Sequence, residues 1–265
     1  MPDRLDIDPL LGPFAPDLGW VPAPRYLLRR RRILRQLRRQ HCARVLEIGC
    51  GAGMLLQELS QQGVQCTALE TSPQARKLIQ EIGRRSGHAV ALHDAPSPTW
   101  AGMFPLLMAF EVLEHIEDDA LALEEWRTWM QPDGLMLMSV PAHTRLWSAA
   151  DVWAGHYRRY SKKNLLSLLT RCGFEVEHIE CFGFPLGNLT ERIQARSIAK
   201  SQTVHATHEA NNARSGIERN HVMRYFPWMK SMPGKLALRC AFAAQAAFST
   251  MPFGNGYLVR ARRRG

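Results

Sequence analysis

The chain lacks the cysteine clustering that a metal site or a disulfide framework requires. Its six cysteines, Cys42, Cys50, Cys66, Cys172, Cys181 and Cys240, form no Cys-x-x-Cys pair and keep no regular spacing. They read as reduced thiols, which suits a cytoplasmic protein. No apolar run reaches the ~18 residues of a membrane span. The nearest, Leu236 to Phe253, is broken by Arg239, Gln245 and Pro252 and reads as a buried or interfacial helix. Met1 to Gly19 carries Asp3, Asp6 and Asp8 and four prolines, and has no basic stretch followed by an apolar one, so it does not read as a signal peptide. Internal repeats are also missing. Acid is in short supply: 34 Lys and Arg stand against 24 Asp and Glu, a net charge of +10. That excess is compatible with an anionic substrate, nucleic acid, an anionic membrane surface or simply a solvated basic exterior. With 46% hydrophobic and 22% charged residues, a disordered chain is excluded.

What is present is a strand–helix alternation. Residues 1–24 read as irregular. Arg25 to Gln40 reads as a helix with Leu27, Leu34 and Leu37 on one face and a run of arginines mapped to a solvated face. Arg44 to Ile48, Val64 to Glu70, Ala89 to His93, Pro105 to Phe110, Leu135 to Val140 and Phe174 to Cys181 read as strands. Helices are predicted over Met54 to Gln62, Pro73 to Arg85, Asp118 to Met130 and Lys162 to Cys172. Gln131 to Gly134 reads as a turn. A last strand, Gly256 to Ala261, follows a stretch of helical segments and polar loops. The expectation is a Rossmann-like α/β fold: a mostly parallel seven-stranded sheet, helices on both faces, and a helical insertion before the last strand. Residues 1–40 form an N-terminal segment and basic helix, a lid or cap. Residues 41–265 form the main domain, with the insertion at 184–252.

The strongest motif is Glu47-Ile48-Gly49-Cys50-Gly51-Ala52-Gly53, at a strand-to-helix junction. In open α/β sheets ligands bind at the carboxyl ends of the strands, where strand order reverses. Gly49 permits a sharp turn, and Gly51 lets backbone approach a ligand. The helix start offers free N–H groups to a carboxylate. A dinucleotide fingerprint would need glycine where Met54 stands. Glu70 ends the second strand, where a carboxylate accepts from ribose hydroxyls. Asp94 ends the third, within reach of an adenine amino group.

With these residues the sequence resembles the class I methyltransferases. Glu47 to Gly53 matches their first motif, Glu70 their ribose acid and Asp94-Ala95 their adenine loop. Phe110-Glu111-Val112-Leu113-Glu114-His115-Ile116 is similar to the fourth-strand motif of the subgroup that includes the ubiquinone-pathway O-methyltransferases. The resemblance spans roughly residues 40–183 and the final strand. It implies S-adenosyl-L-methionine as cofactor, held by Glu47, Gly49, Cys50, Gly51, Gly53, Glu70, Thr71, Asp94, Ala95, Phe110 and Glu111. The glycines would surround the methionine part, Glu47 would sit near its amino group, and Phe110 and Glu111 would offer backbone close to the sulfonium.

Methyl transfer needs in-line alignment at ~3–3.5 Å, and a hydroxyl acceptor benefits from a general base. Histidine suits that role. His115 follows the fourth strand and His143 the fifth. His156 sits in the Gly155 to Tyr160 cluster, where Tyr157, Arg158 and Tyr160 are candidate substrate contacts. Glu111, Glu114 and His115 are hard donors of a type that suits magnesium, but no metal is assigned. The expected acceptor is a small molecule, anionic or hydrophobic, methylated at oxygen or nitrogen. Tyr225 to Met229 and Leu236 to Phe248 would line its pocket or touch a membrane surface. The alternatives are an RNA or protein methyltransferase and a non-catalytic cofactor-binding protein. Against nucleic acid, no Asn-Pro-Pro-Tyr motif, Pro-Cys nucleophile or appended binding module is present.

Overall fold

The computed structural model describes residues 4–38, 40, 42–201 and 220–265. Residues 1–3, 39, 41 and 202–219, the last falling in the expected insertion, lie outside the described residues. The chain opens with a short hairpin, β1 (Asp6–Asp8) and β2 (Gly12–Phe14). This corrects the irregular segment expected there: Leu5, Leu11, Phe14 and Trp20 are buried in a core shared with Leu27, Leu28, Met54, Phe226 and Leu238. Helix α1 (Pro24–Leu37) follows, started by Pro24.

Then comes the alternation: β3 (Arg44–Ile48), α2 (Met54–Ser60), β4 (Gln65–Leu69), α3 (Pro73–Ser86), β5 (Ala91–His93), β6 (Phe104–Phe110), α4 (Asp119–Trp129), β7 (Met130–Pro141), α5 (Ala149–Ala154), α6 (Lys162–Arg171) and β8 (Phe174–Phe182). The insertion carries α7 (Leu186–Ser201), α8 (Asn220–Met223), α9 (Phe226–Lys230) and α10 (Met232–Phe248), and β9 (Gly256–Arg263) closes the chain. The sheet order is β5-β4-β3-β6-β7-β9-β8. All neighbours are parallel except β9, which runs antiparallel to β7 and β8. The chain starts in the middle at β3, moves outward to β5, then returns to β6. That reversal puts a crevice at the carboxyl ends of β3 and β6.

Alternation along the strands feeds two core layers. Val45, Leu106, Met108, Leu135, Leu137 and Leu258 pack with α1 and α2. Leu46, Ile48, Leu107, Ala109, Met136, Met138 and Val259 pack with α4 and α6. The inner strands β3, β6 and β7 are therefore apolar on both faces, as a covered parallel sheet demands.

Two expectations are corrected. Gln131 to Gly134 is no terminal turn. Strand β7 begins at Met130 opposite Phe104 and regains register at Leu135 opposite Leu106, so the intervening residues form a bulge, with Asp133 at φ 57°. The arginines of α1 are only in part a solvated face: Arg31 and Arg35 are exposed, but Arg30 and Arg32 are not. Arg30 lies on Glu58 (2.6 and 2.5 Å) and Arg32 on Glu180 (2.6 and 2.5 Å), all four buried. These forked pairs fix α1 against α2 and β8. Removing one member of the Arg30–Glu58 pair leaves a buried charge without its ion partner, at a cost of about 3–5 kcal/mol, whereas Glu180 also has His178 Nε2 at 3.1 Å.

Candidate active site

The turn after β3 is built on positive φ at Gly49 (62°), Gly51 (57°) and Gly53 (67°). A Cβ on Gly49 would lie 2.6 Å from Cγ2 of Val112, so side chain and conformation both exclude other residues there. Glu70 closes the next strand against this turn. Its Oε2 accepts from the Gly51 N–H at 2.8 Å and its Oε1 from the Ser72 N–H at 2.9 Å. Each oxygen keeps a second lone pair for a hydroxyl. Burial pushes the Glu70 carboxyl up, opposed by these two N–H groups. Arg76 braces the rim, donating to the carbonyls of Glu70 and Thr71 at 3.1 and 2.8 Å and lying 3.8 Å from Asp94. Thr71, Asp94 and Ala95 are exposed at that rim.

Glu47, on β3 just before the turn, is buried and its Oε2 has no hydrogen bond among the described residues. Burial raises its carboxyl to about 8, eased by Arg29 and reinforced by Glu70. Burial pushes the Cys50 thiol well up, with Glu47 and Glu70 adding to it. A buried acid with an oxygen that no donor reaches, beside open backbone and a ribose-ready carboxylate, fits an amino-acid-bearing nucleoside such as S-adenosylmethionine.

The end of β6 supplies the other wall. Phe110 is buried, and Glu111 follows at φ 59°, a strained value for a side chain. The Glu111 carboxylate accepts from Ser139 Oγ at 2.8 Å and from Arg25 at 2.5 Å, with Arg29 at 3.6 Å. Burial alone would raise its pKa, yet Arg25 and Arg29 hold it below the usual value. Glu114 has the opposite fate: fully buried, both oxygens without a hydrogen bond among the described residues, it is pushed well up by burial and by Glu111.

The three histidines part company here. His115 Nδ1 lies 3.1 Å from the Gly155 carbonyl, and its ring meets that of His156 edge-on at 4.7 Å. His156 Nδ1 lies 2.9 Å from Asp151 Oδ1, and its Nε2 lies 3.9 Å from Glu114 Oε1. Arg159 donates to the same Asp151 oxygen at 2.7 Å and also holds Glu191. These two partners hold the Asp151 carboxyl at about 2 against the effect of burial. His143 stands apart at φ 61°, with Nδ1 3.2 Å from the Tyr257 hydroxyl and Nε2 3.6 Å from Cys181 Sγ. Burial lowers its pKa, and Arg145 and Arg159 lower it further.

The expected substrate residues are dispersed. Arg158 and Tyr160 both bind Asp119, at 2.8 and 2.9 Å, tying the loop to the start of α4, while Tyr157 is exposed. The potential metal donors regroup: Glu114, His115 and His156 place ligand atoms within 4.8 Å of one another, and Glu111 faces Arg25 instead. Sequence reasoning missed Arg25, Arg29, Arg76, Ser139 and Asp151. Only Asp151 left a local trace, the Ser148-x-x-Asp151 spacing of a capping box.

The switch-point crevice, its glycine turn and the acid closing the next strand define the class: a Rossmann-like, S-adenosylmethionine-dependent methyltransferase. A family model described as a methyltransferase domain matches residues 23–179, and the chain belongs to that family. Curated relatives include ubiquinone biosynthesis O-methyltransferases of Xylella fastidiosa (strain 9a5c), 31% identical over 37% of this chain and 41% of the relative, and Xanthomonas axonopodis pv. citri (strain 306), 28% identical over 43% and 50%. The chain thus aligns with half or less of their length. Solved structures share the fold: an S-adenosylmethionine-dependent methyltransferase of Mesorhizobium loti (TM-score 0.54, 16% identity, 91% of this chain, 98% of that one) and phosphoethanolamine N-methyltransferase 2 of Haemonchus contortus in complex with S-adenosyl-L-methionine (0.53, 16%, 89%, 52%). No helix among the described residues is long and apolar enough to cross a membrane.

Proposed function

We propose that this enzyme methylates a hydroxyl of a small-molecule acceptor, with His156 as general base and Asp151 as its positioning residue. Bound S-adenosylmethionine supplies an electrophilic methyl group that needs no further activation. Glu47 takes its ammonium, Glu70 its ribose, and the backbone of Gly49, Gly51 and Gly53 surrounds the methionine part. The observation that carries the acceptor chemistry is the Asp151–His156 pair in the buried group beside Glu111. A carboxylate that stays ionised accepts the Nδ1–H, so the Nε2 lone pair, on the side of Glu114, is left to take a proton. Deprotonation of the hydroxyl at Nε2 then coincides with methyl transfer. The relatives named O-methyltransferases make oxygen the first acceptor atom to test.

The test is transfer of labelled methyl groups to a panel of phenols, catechols and primary amines, followed by pH profiles of His156→Gln and Asp151→Asn. Turnover on hydroxyls should fall about 100-fold or more in His156→Gln, and Asp151→Asn should move the profile's acidic limb. Transfer confined to amines, or an unaltered profile in both variants, would refute the reading.

A further inference from the structure

The outer side of α10 departs from the rule for surface helices, which turn charge toward water. Met232, Leu236, Cys240, Ala243 and Ala247, spaced four, four, three and four residues apart, are all exposed on one face, whose edge carries the exposed Arg239. Met232 and Leu236 are 76% and 62% open. The inner face is apolar as well: Leu238 and Phe242 are buried, and Gln245 bridges Gly183 N and the Leu28 carbonyl at 2.8 and 3.0 Å. The helix is therefore firmly docked on its inner side and bare on its outer one. Trp228, 56% exposed, stands at its amino end and Phe253, 48% exposed, beyond its carboxyl end.

Helix α7 continues this surface. Phe184, Phe248 and Phe253 pack ring to ring at 5.1 and 5.6 Å, and Asn188 donates to the Phe253 carbonyl at 2.9 Å. On α7, Leu189 and Ile193 are exposed beside Arg192, Arg196 and Lys200, which follow at four-residue intervals. The only acid in residues 184–201 and 220–255 is Glu191, and it turns inward onto Arg159 and Asn255.

We infer that the α7–α10 face is a docking surface for an anionic lipid bilayer. An apolar ridge flanked by cations and an indole is the pattern of a helix lying in the headgroup region. A second copy of the chain fits less well, because a two-fold contact would set the basic stripe of α7 against itself. The arginines and lysine of that stripe draw the protein to acidic headgroups, and the attraction is screened by salt.

The test is co-sedimentation of the full-length protein with phosphatidylcholine vesicles, with and without phosphatidylglycerol, at low and high salt. The expected result is binding to the phosphatidylglycerol vesicles, weakened by salt. Leu236→Glu and the double change Arg192→Glu, Arg196→Glu should each reduce that binding by about tenfold or more. Both should keep the wild-type affinity for S-adenosylhomocysteine and the wild-type melting temperature, which separates docking from folding and from the active site. Failure of the wild type to bind acidic vesicles would overturn the inference. So would full binding by Leu236→Glu, or a solution dimer that Leu236→Glu dissociates.

Discussion

Replacing Glu47 by Gln keeps the shape of the side chain and removes its ionisation, which makes it the sharpest probe of the cradle. In the protein without cofactor, burial raises this carboxyl from 4.5 to about 8. The folded state thus holds a proton that the unfolded chain releases, and stability is greatest below the unfolded value and declines as pH rises through the folded one. The slope from one such group is about 1.4 kcal/mol per pH unit, on the order of 4 kcal/mol between pH 5 and 8. The introduced amide does not titrate, but it lacks a partner and costs about 1–3 kcal/mol at every pH. The variant should therefore be the less stable protein at pH 5 and the more stable one at pH 8. Urea unfolding of both proteins at several pH values, without cofactor, reads the difference directly. The same change should weaken S-adenosylhomocysteine binding by roughly 10- to 100-fold through loss of a charge-assisted hydrogen bond. Stability curves that run parallel from pH 5 to 8 would refute the assignment of Glu47 as a buried acid awaiting a cation.

Gly51→Val asks a branched residue to adopt φ 57° in the turn that Glu70 braces; cofactor binding by calorimetry should be lost. Arg32→Ala leaves the buried Glu180 with His178 alone, at 3.1 Å, and should cost about 3 kcal/mol in chemical unfolding. Asp151→Asn removes a carboxylate held at about 2 rather than 3.8. That stability is present above the unfolded value and lost as pH falls through the folded one, so the variant should lose roughly 2 kcal/mol at neutral pH and little near pH 2. His143→Ala breaks its contacts with Tyr257 and Cys181. It should cost about 1–2 kcal/mol of stability while sparing turnover, in contrast to His156→Gln.

The sheet was legible because its signals are local. Apolar runs bounded by glycine and charge marked β3, β4, β6 and β8, and the Glu47 to Gly53 spacing located the crevice. The place of Glu70 was legible too, since it directly follows the strand after the glycine turn. Long-range pairing was not legible. Arg30 and Arg32 look like solvated residues until Glu58 and Glu180, 28 and 148 positions away, come beside them. Arg25 on Glu111 is the same case, separated by 86 positions. Among the histidines, sequence supplied three equivalent candidates. Their hydrogen bonds distinguish them: His156 has the Asp151 carboxylate behind it, whereas His115 meets a backbone carbonyl and His143 a phenol and a thiol. The bulge at Gln131 to Gly134 resembled a turn because Pro132, Asp133 and Gly134 are turn residues wherever the backbone bends.

Calorimetric titration of the purified protein with S-adenosylhomocysteine bears most directly on the whole account. Saturable one-to-one binding, abolished by Gly51→Val and reduced by Glu47→Gln, is the predicted result. Absence of heat and of any thermal stabilisation at saturating ligand would contradict it, however closely the fold follows its family.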